Sequence, residues 1–148
     1  MPQSIRYQIS AAFVEALKTT FEPGTKVKRN PREPSPARDG PRVVFFADTS
    51  DAFIEQPGQL AKRVFVFEVG AINRTDDAEA GADADYVAAE ATLRSAFATV
   101  AQVLKDAGAQ LGPLRERGVA FKVEDIDVDG ALVLGEFEIE YRRSAPPR

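Results

Sequence analysis

The sequence predicts an α+β fold, in which two helices pack on one face of a mainly antiparallel sheet of about four main strands, in the order α-β-β-α-β-β. Apolar residues recur every three or four positions in segments 4–21 and about 83–107, which is the spacing of an amphipathic helix. Elsewhere they alternate or form short runs, as in strands. Those strand segments are 43–47, 63–73, 119–128 and 131–142. At 148 residues, we expect a single domain over the whole chain.

The first predicted helix runs from Ser4 to Phe21. A serine at this position can cap the free N–H groups of the first turn, and Pro23 followed by Gly24 ends the helix. The apolar residues fall on one stripe, which predicts a face packed on the core. They are Ile5, Ile9, Phe13, Ala16 and Leu17.

Residues 22–42 are predicted to form an extended basic loop rich in proline. Its five prolines exclude a helix and a central strand, although a short strand at 25–29 fits the sequence. Six bases stand against three acids. The loop is therefore either an arm that docks on a partner or a solvated connection, and both interpretations stay open. The bases are Lys26, Lys28, Arg29, Arg32, Arg38 and Arg42.

Two strands follow this loop. Residues 43–47 (VVFFA) form a short buried strand, and residues 63–73 form a longer one rich in β-branched and aromatic residues. The pair Pro57-Gly58 between them is a turn signal. We therefore expect two antiparallel strands joined by a protruding loop or hairpin extension.

An acidic loop and a long helix come next. The segment at about 74–83 is rich in glycine, alanine and acids, and we expect a mobile loop there. The helix runs from about Asp83 to Ala107 and is closed by Gly108. The acids of this part of the chain are Asp76, Asp77, Glu79, Asp83 and Asp85.

Residues 125–136 read DIDVDGALVLGE, which matches the calcium-loop pattern D-x-[DN]-x-[DN]-G-x5-E. Helices enter and leave an EF-hand loop, whereas both flanks here alternate apolar and polar residues as strands do. Asp129-Gly130 between two such runs is the signal of a two-residue type I′ turn. We interpret the segment as a hairpin, and calcium binding by 125–136 as the less favoured alternative.

The hairpin predicts a pairing register. Regular pairing from Asp129-Gly130 would place charged residues opposite core residues, and a β-bulge at Glu124-Asp125 repairs this. Phe121 then lies opposite Phe137, and Lys122 lies opposite Glu136.

The last strand has an apolar face and a polar face. The polar face carries Glu136, Glu138 and Glu140, which are candidates for an acidic face or lumen. Leu132 and Leu134 fall on the same face, and an oligomer contact would explain two leucines beside these acids. The apolar face of the hairpin comprises Val119, Phe121, Val123, Ile126, Val128, Val133, Phe137, Ile139 and Tyr141.

Composition makes several function classes improbable. The chain contains no cysteine and no histidine, which removes thiol and histidine nucleophile systems and most transition-metal sites. It has no P-loop, G-x-G-x-x-G or G-x-S-x-G motif. Its net charge of −4 argues against a nucleic-acid-binding surface, and no apolar stretch is long enough for a membrane span. We expect neither an enzyme nor a catalytic, metal or cofactor site.

The sequence resembles the tail terminator (tail-completion) proteins of long-tailed bacteriophages and gene transfer agents. An amphipathic helix is followed by VKRNPREPSPARDGPRVVFF, a second strand, an acidic loop, an alanine-rich helix and the closing VEDIDVDGALVLGEFEIEYRR. The resemblance covers nearly the whole chain and rests on the order of these elements.

The resemblance implies a structural protein of the virion tail, assembled in the host cytoplasm. Its copies would form a ring, six-membered in this family, that caps the tail tube and joins it to the head. The partners implied are other copies of the chain, the tail tube protein and the head–tail connector, with DNA only as passing cargo and no membrane. The alternative is another head–tail connector or minor tail protein. Candidate interface residues are the bases Lys28, Arg29, Arg32 and Arg38, which would meet acids of a neighbouring copy, and Leu132 and Leu134, which an oligomer contact would cover.

Overall fold

A computed structural model describes residues 4–22, 24–30, 40–54, 62–122 and 130–143. It contains two helices and six strands in the order α-β-β-β-α-β-β-β. They are α1 (Ile5–Phe21), β1 (Lys26–Arg29), β2 (Arg42–Ile54), β3 (Lys62–Asn73), α2 (Ala78–Asp106), β4 (Ala109–Leu111), β5 (Arg115–Lys122) and β6 (Ala131–Arg143).

The sheet is mixed and has six strands, in the order β1-β2-β3-β6-β4, with β5 also paired to β6. β1 runs parallel to β2, and the other pairs are antiparallel. The predicted arrangement of four main strands in the order α-β-β-α-β-β is therefore wrong. Strands β1 (KVKR) and β4 (AQL) are four and three residues long, too short to show an alternating pattern.

The core lies between the two helices and one face of the sheet. The predicted α1 is confirmed, and the Ser4 hydroxyl accepts a hydrogen bond from the Tyr7 amide at 3.1 Å. Phe13 places its ring centroid 6.0 Å from that of Phe46 and 5.7 Å from that of Phe67. Each buried phenylalanine contributes about 1.5–3 kcal/mol through removal of its apolar surface from water, so this cluster anchors α1 to the sheet.

Helix α2 begins at Ala78, five residues before the predicted start at Asp83. Residues 78–83 are therefore helical, and the predicted acidic loop at about 74–83 shortens to 74–77. Alanine and glutamate favour a helix in this segment. The predicted end is confirmed, since the helix stops at Asp106 and Gly108 has a φ of 92°, a conformation that glycine adopts readily.

The predicted register of the last hairpin is wrong. Leu132 pairs with Lys122 and Val133 pairs with Phe121, and the predicted turn at Asp129-Gly130 lies partly outside the described residues. The observed register differs by four residues at Phe121, which was predicted opposite Phe137. An even shift leaves every side chain on its predicted face, and the apolar pattern therefore could not distinguish the two registers.

The predicted bulge at Glu124-Asp125 lies outside the described residues. A register shift is instead observed earlier in β5, between Glu116 and Gly118. As a result, Gly118 and not Lys122 lies opposite Glu136.

Candidate functional site

The helices cover one face of the sheet, and the opposite face, called here the outer face, carries the predicted acids. In β6 the residues alternate between buried and half-buried, with Val133, Phe137 and Ile139 in the core. Glu136, Glu138 and Glu140 take the alternate, half-buried positions. Their predicted placement on one face is therefore confirmed.

Pairing with β3 adds a fourth acid that the sequence analysis missed. Glu68 lies directly opposite Glu136, although like charges in this arrangement repel. Arg117 offsets Glu136 at 3.2 Å. Glu68 could have been found only from the β3–β6 register, because its own strand reads as uniformly apolar around it.

Glu140 is the best compensated of the four acids. Lys62 lies 2.8 Å from its carboxylate, and this hydrogen bond and charge hold the pKa of Glu140 below its usual value. Within the described ranges, no ion pair is found for Glu68 or Glu138. Glu138 nevertheless lies directly opposite Arg115 in the β5–β6 pair.

The two predicted leucines lie at one end of the outer face. Leu132 and Leu134 are half-buried, and Leu134 pairs across the sheet with Gly70. The ring of Phe45 lies over Gly70, where an added Cβ would come within 2.9 Å of its Cε2 atom. Leu134 also lines an open groove of about 310 Å³, whose other lining residues include Ala120 and the charged Glu68, Arg117 and Glu136. The leucines therefore form an apolar cluster that borders these charges.

The described bases of the predicted arm do not lie together in one patch. Lys28 pairs with Phe45 and so falls in the cross-strand row that leads through Gly70 to Leu134. Arg29 lies on the helix side, with its guanidinium carbon 4.4 Å from the centre of the Tyr7 ring. The other two predicted interface bases, Arg32 and Arg38, lie outside the described residues.

Arg42, another base of the predicted arm, forms an ion pair within the chain. Arg42 donates from Nε to Asp85 Oδ2 at 3.0 Å and from Nη2 to Oδ1. Asp85 is buried, and this hydrogen bond raises the pKa of Arg42. The pair joins β2 to α2 across 43 positions, a separation at which no sequence pattern could have indicated it.

A second polar contact joins α2 to β5. The Tyr86 hydroxyl donates to Glu116 Oε2 at 3.1 Å, and burial raises the pKa of Tyr86. A hydrogen bond with Glu116, together with burial, raises the pKa of Glu90. Gly135 leaves room for the Tyr86 ring on the core face. Two carboxyl groups and a phenol therefore form a contact that is sensitive to protonation.

No group of three or more acids, histidines or cysteines that could hold a metal ion occurs in the described part of the chain. The calcium interpretation remains a prediction, because Asp125, Asp127 and Asp129 fall outside the described residues. Neither of the described helices is long and apolar enough to cross a membrane.

Comparison with known proteins gives a weak structural likeness. No protein-family model matches the sequence, and no curated protein matches it. Among solved structures, the chain is similar to one from the virion of a native gene transfer agent (GTA) particle, with a TM-score of 0.45 and 15% sequence identity. The likeness covers 97% of this chain and 100% of that one.

Proposed function

We propose that this protein is a structural subunit of a phage-like particle and acts as a tail terminator. Its copies form a hexameric ring on the finished tail tube, which stops tube polymerisation and presents a joint to the head connector. The ring acts by recognition and steric capping, so no bond is made or broken.

The observation that carries the proposal is the composition of the outer face. Leu132 and Leu134 lie half-buried on a sheet face that neither helix covers, next to Phe45 and the groove beside Ala120. Apolar residues clustered in this way commonly mark a surface that another protein covers. An assembly subunit uses such a surface to contact its neighbours.

The terminator role itself rests on the resemblance in the order of the sequence elements. The likeness to the gene transfer agent chain adds no weight at a TM-score of 0.45. The tail tube protein and the head–tail connector are the partners that this role requires.

The acids of the outer face fit a lumen that DNA must traverse. Glu68 and Glu138 have no ion pair among the described residues, and their charge would repel phosphate groups. DNA could then pass without binding. Glu136 and Glu140, which are offset by Arg117 and Lys62, would contribute less to this repulsion.

Sedimentation velocity and negative-stain imaging of the purified protein test the proposal. We expect six-membered rings, and addition of the protein to polymerising tail tube protein should stop growth of the tubes. Leu134→Glu should abolish the ring and leave the fold intact. Val103→Glu is the matched control, because Val103 is 59% exposed on α2 and away from the outer face. A protein that stays monomeric at all concentrations would refute the ring.

A further inference from the structure

Charge is distributed unevenly along β3 and β6. At one end, called here the basic end, Lys62 lies directly opposite Arg142, and Arg142 and Arg115 are exposed. Glu140 faces these cations: it forms the ion pair with Lys62, and Arg115 also lowers the pKa of Glu140. Arg115 also lies directly opposite Glu138, so three cations meet two carboxylates and a net positive charge remains at this end.

The basic end is also concave. A hollow of about 130 Å³ lies between β4 and the end of β6, lined by Lys62, Gln110, Glu140 and Arg142 among others. Its backbone edge is fixed by the hydrogen bond from the Gly112 amide to the Glu140 carbonyl at 2.6 Å. A carboxylate side chain is small enough to enter this hollow and would lie between the cations.

The opposite end of the sheet is acidic. β3 ends at Asn73, and the chain then turns into α2. Four exposed acids lie at this turn and in the first turns of the helix, and none of them forms an ion pair with any described residue. The nearby Arg42 is bound to Asp85. The exposed acids, called here the acidic end, are Asp76, Asp77, Glu79 and Asp83.

The two ends are too far apart to neutralise each other in one molecule. From Lys62 to Asn73 the extended strand spans about 36 Å at about 3.3 Å per residue. The Debye length at 0.1 M salt is about 10 Å, so each end acts as a separate charged surface. Opposite charges at opposite ends of one subunit favour a head-to-tail contact, which is the contact that closes a ring.

We propose that the basic end of one copy binds the acidic end of the next copy, with acidic side chains of the α2 start entering the hollow between Lys62 and Arg142. The proposal rests on the ring function and specifies its joint. In this joint the basic end, and not the arm at 26–42, supplies the positive charge, because Arg29 and Arg42 already have partners within the chain.

Paired charge reversals test this joint by sedimentation velocity. The double variant Arg115→Glu with Arg142→Glu, and the double variant Asp77→Lys with Glu79→Lys, should each lose the ring, because both ends then carry the same sign. An equimolar mixture of the two variants should assemble again, since each mismatched end meets its complement in the other variant. The control is Lys18→Glu with Arg94→Glu, which makes the same change in net charge at exposed helix positions and should keep the ring.

The outcomes separate this inference from the proposed function. Rings that persist in both end variants would overturn the charge-paired joint and leave the ring function standing. Absence of rings in the unaltered protein would instead refute the ring function.

Circular dichroism checks that each variant is folded. If a variant does not fold, the salt dependence of association of the unaltered protein tests the joint instead. Raising salt from about 0.1 M to about 1 M shortens the Debye length to about 3 Å. The inference requires weaker association at the higher salt concentration, and equal association at both would overturn it.

Discussion

At Gly135 the packing leaves no room for a side chain. It lies on the core face of β6, and the Tyr86 side chain of α2 occupies the space above it. In Gly135→Ala, the new methyl group would come within 2.6 Å of Tyr86 Cε1 and Cζ. Tyr86 is buried, so its ring cannot move away without disturbing the neighbouring core.

The expected loss of stability has two sources, and one smaller gain offsets part of it. Overpacking of a core site costs about 1–3 kcal/mol. Displacing the phenol also breaks its hydrogen bond to Glu116, and a bond of this kind to a charged group contributes about 1.5–3 kcal/mol. Alanine lowers the entropy of the unfolded chain, which returns about 0.4–1 kcal/mol. We expect a net loss of about 2–5 kcal/mol in the free energy of unfolding, or a fall in Tm of about 5–20 °C.

Urea unfolding followed by circular dichroism measures this loss. The matched control is Gly118→Ala on the neighbouring strand β5, where an added Cβ meets no atom within 4 Å. That variant should be within about 0.5 kcal/mol of the unaltered protein. If Gly135→Ala is no less stable than Gly118→Ala, the account of Tyr86 packing is wrong.

Two further variants test the polar contacts of α2 by the same unfolding measurement. Arg42→Ala should lose about 1.5–3 kcal/mol by leaving the buried Asp85 without its partner, and Arg42→Lys should recover only part of this because an ammonium group cannot bond both oxygens. Glu90→Gln should stabilise the protein at about pH 8 by a few tenths of a kcal/mol. The raised pKa of Glu90 means that the folded state favours the neutral form of this carboxyl group. Its stabilising contribution is therefore complete below the ordinary pKa and is lost as pH rises through the raised one. The gain should vanish at about pH 4 and in a Glu116→Gln background. A gain that does not depend on pH would contradict the carboxyl contact.

Local patterns predicted the parts of the fold that depend on local physics. The Ser4 cap and the buried positions Ile9, Phe13 and Leu17 follow from helical periodicity, which each residue satisfies within one or two turns. The alternation in β6 predicted its two faces for the same reason. Short edge strands such as KVKR carry too few residues for any period, and they were not counted among the main strands.

The candidate site was predicted only in part, because its partners come from distant strands. Glu136 was correctly placed on the outer face, but Gly118 and not Lys122 lies opposite it, and Arg117 is the cation that pairs with it among the described side chains. Arg42 was predicted to belong to a docking arm, but in the fold it lies beside Asp85 and forms a hydrogen bond with it. Charge along the sequence shows which residues can form ion pairs, whereas tertiary contacts decide which ones do.

The pairing of β5 with β6 has a kinetic consequence. If β5 slides on β6 by two or four residues, its apolar residues still face the core, so burial alone does little to reject a misaligned strand. The correct alignment is selected by contacts specific to one position, namely Tyr86 with Glu116 and Arg117 with Glu136. Folding should therefore include a late step in which a misaligned strand must separate and pair again, and these polar contacts would determine how often the first attempt is correct.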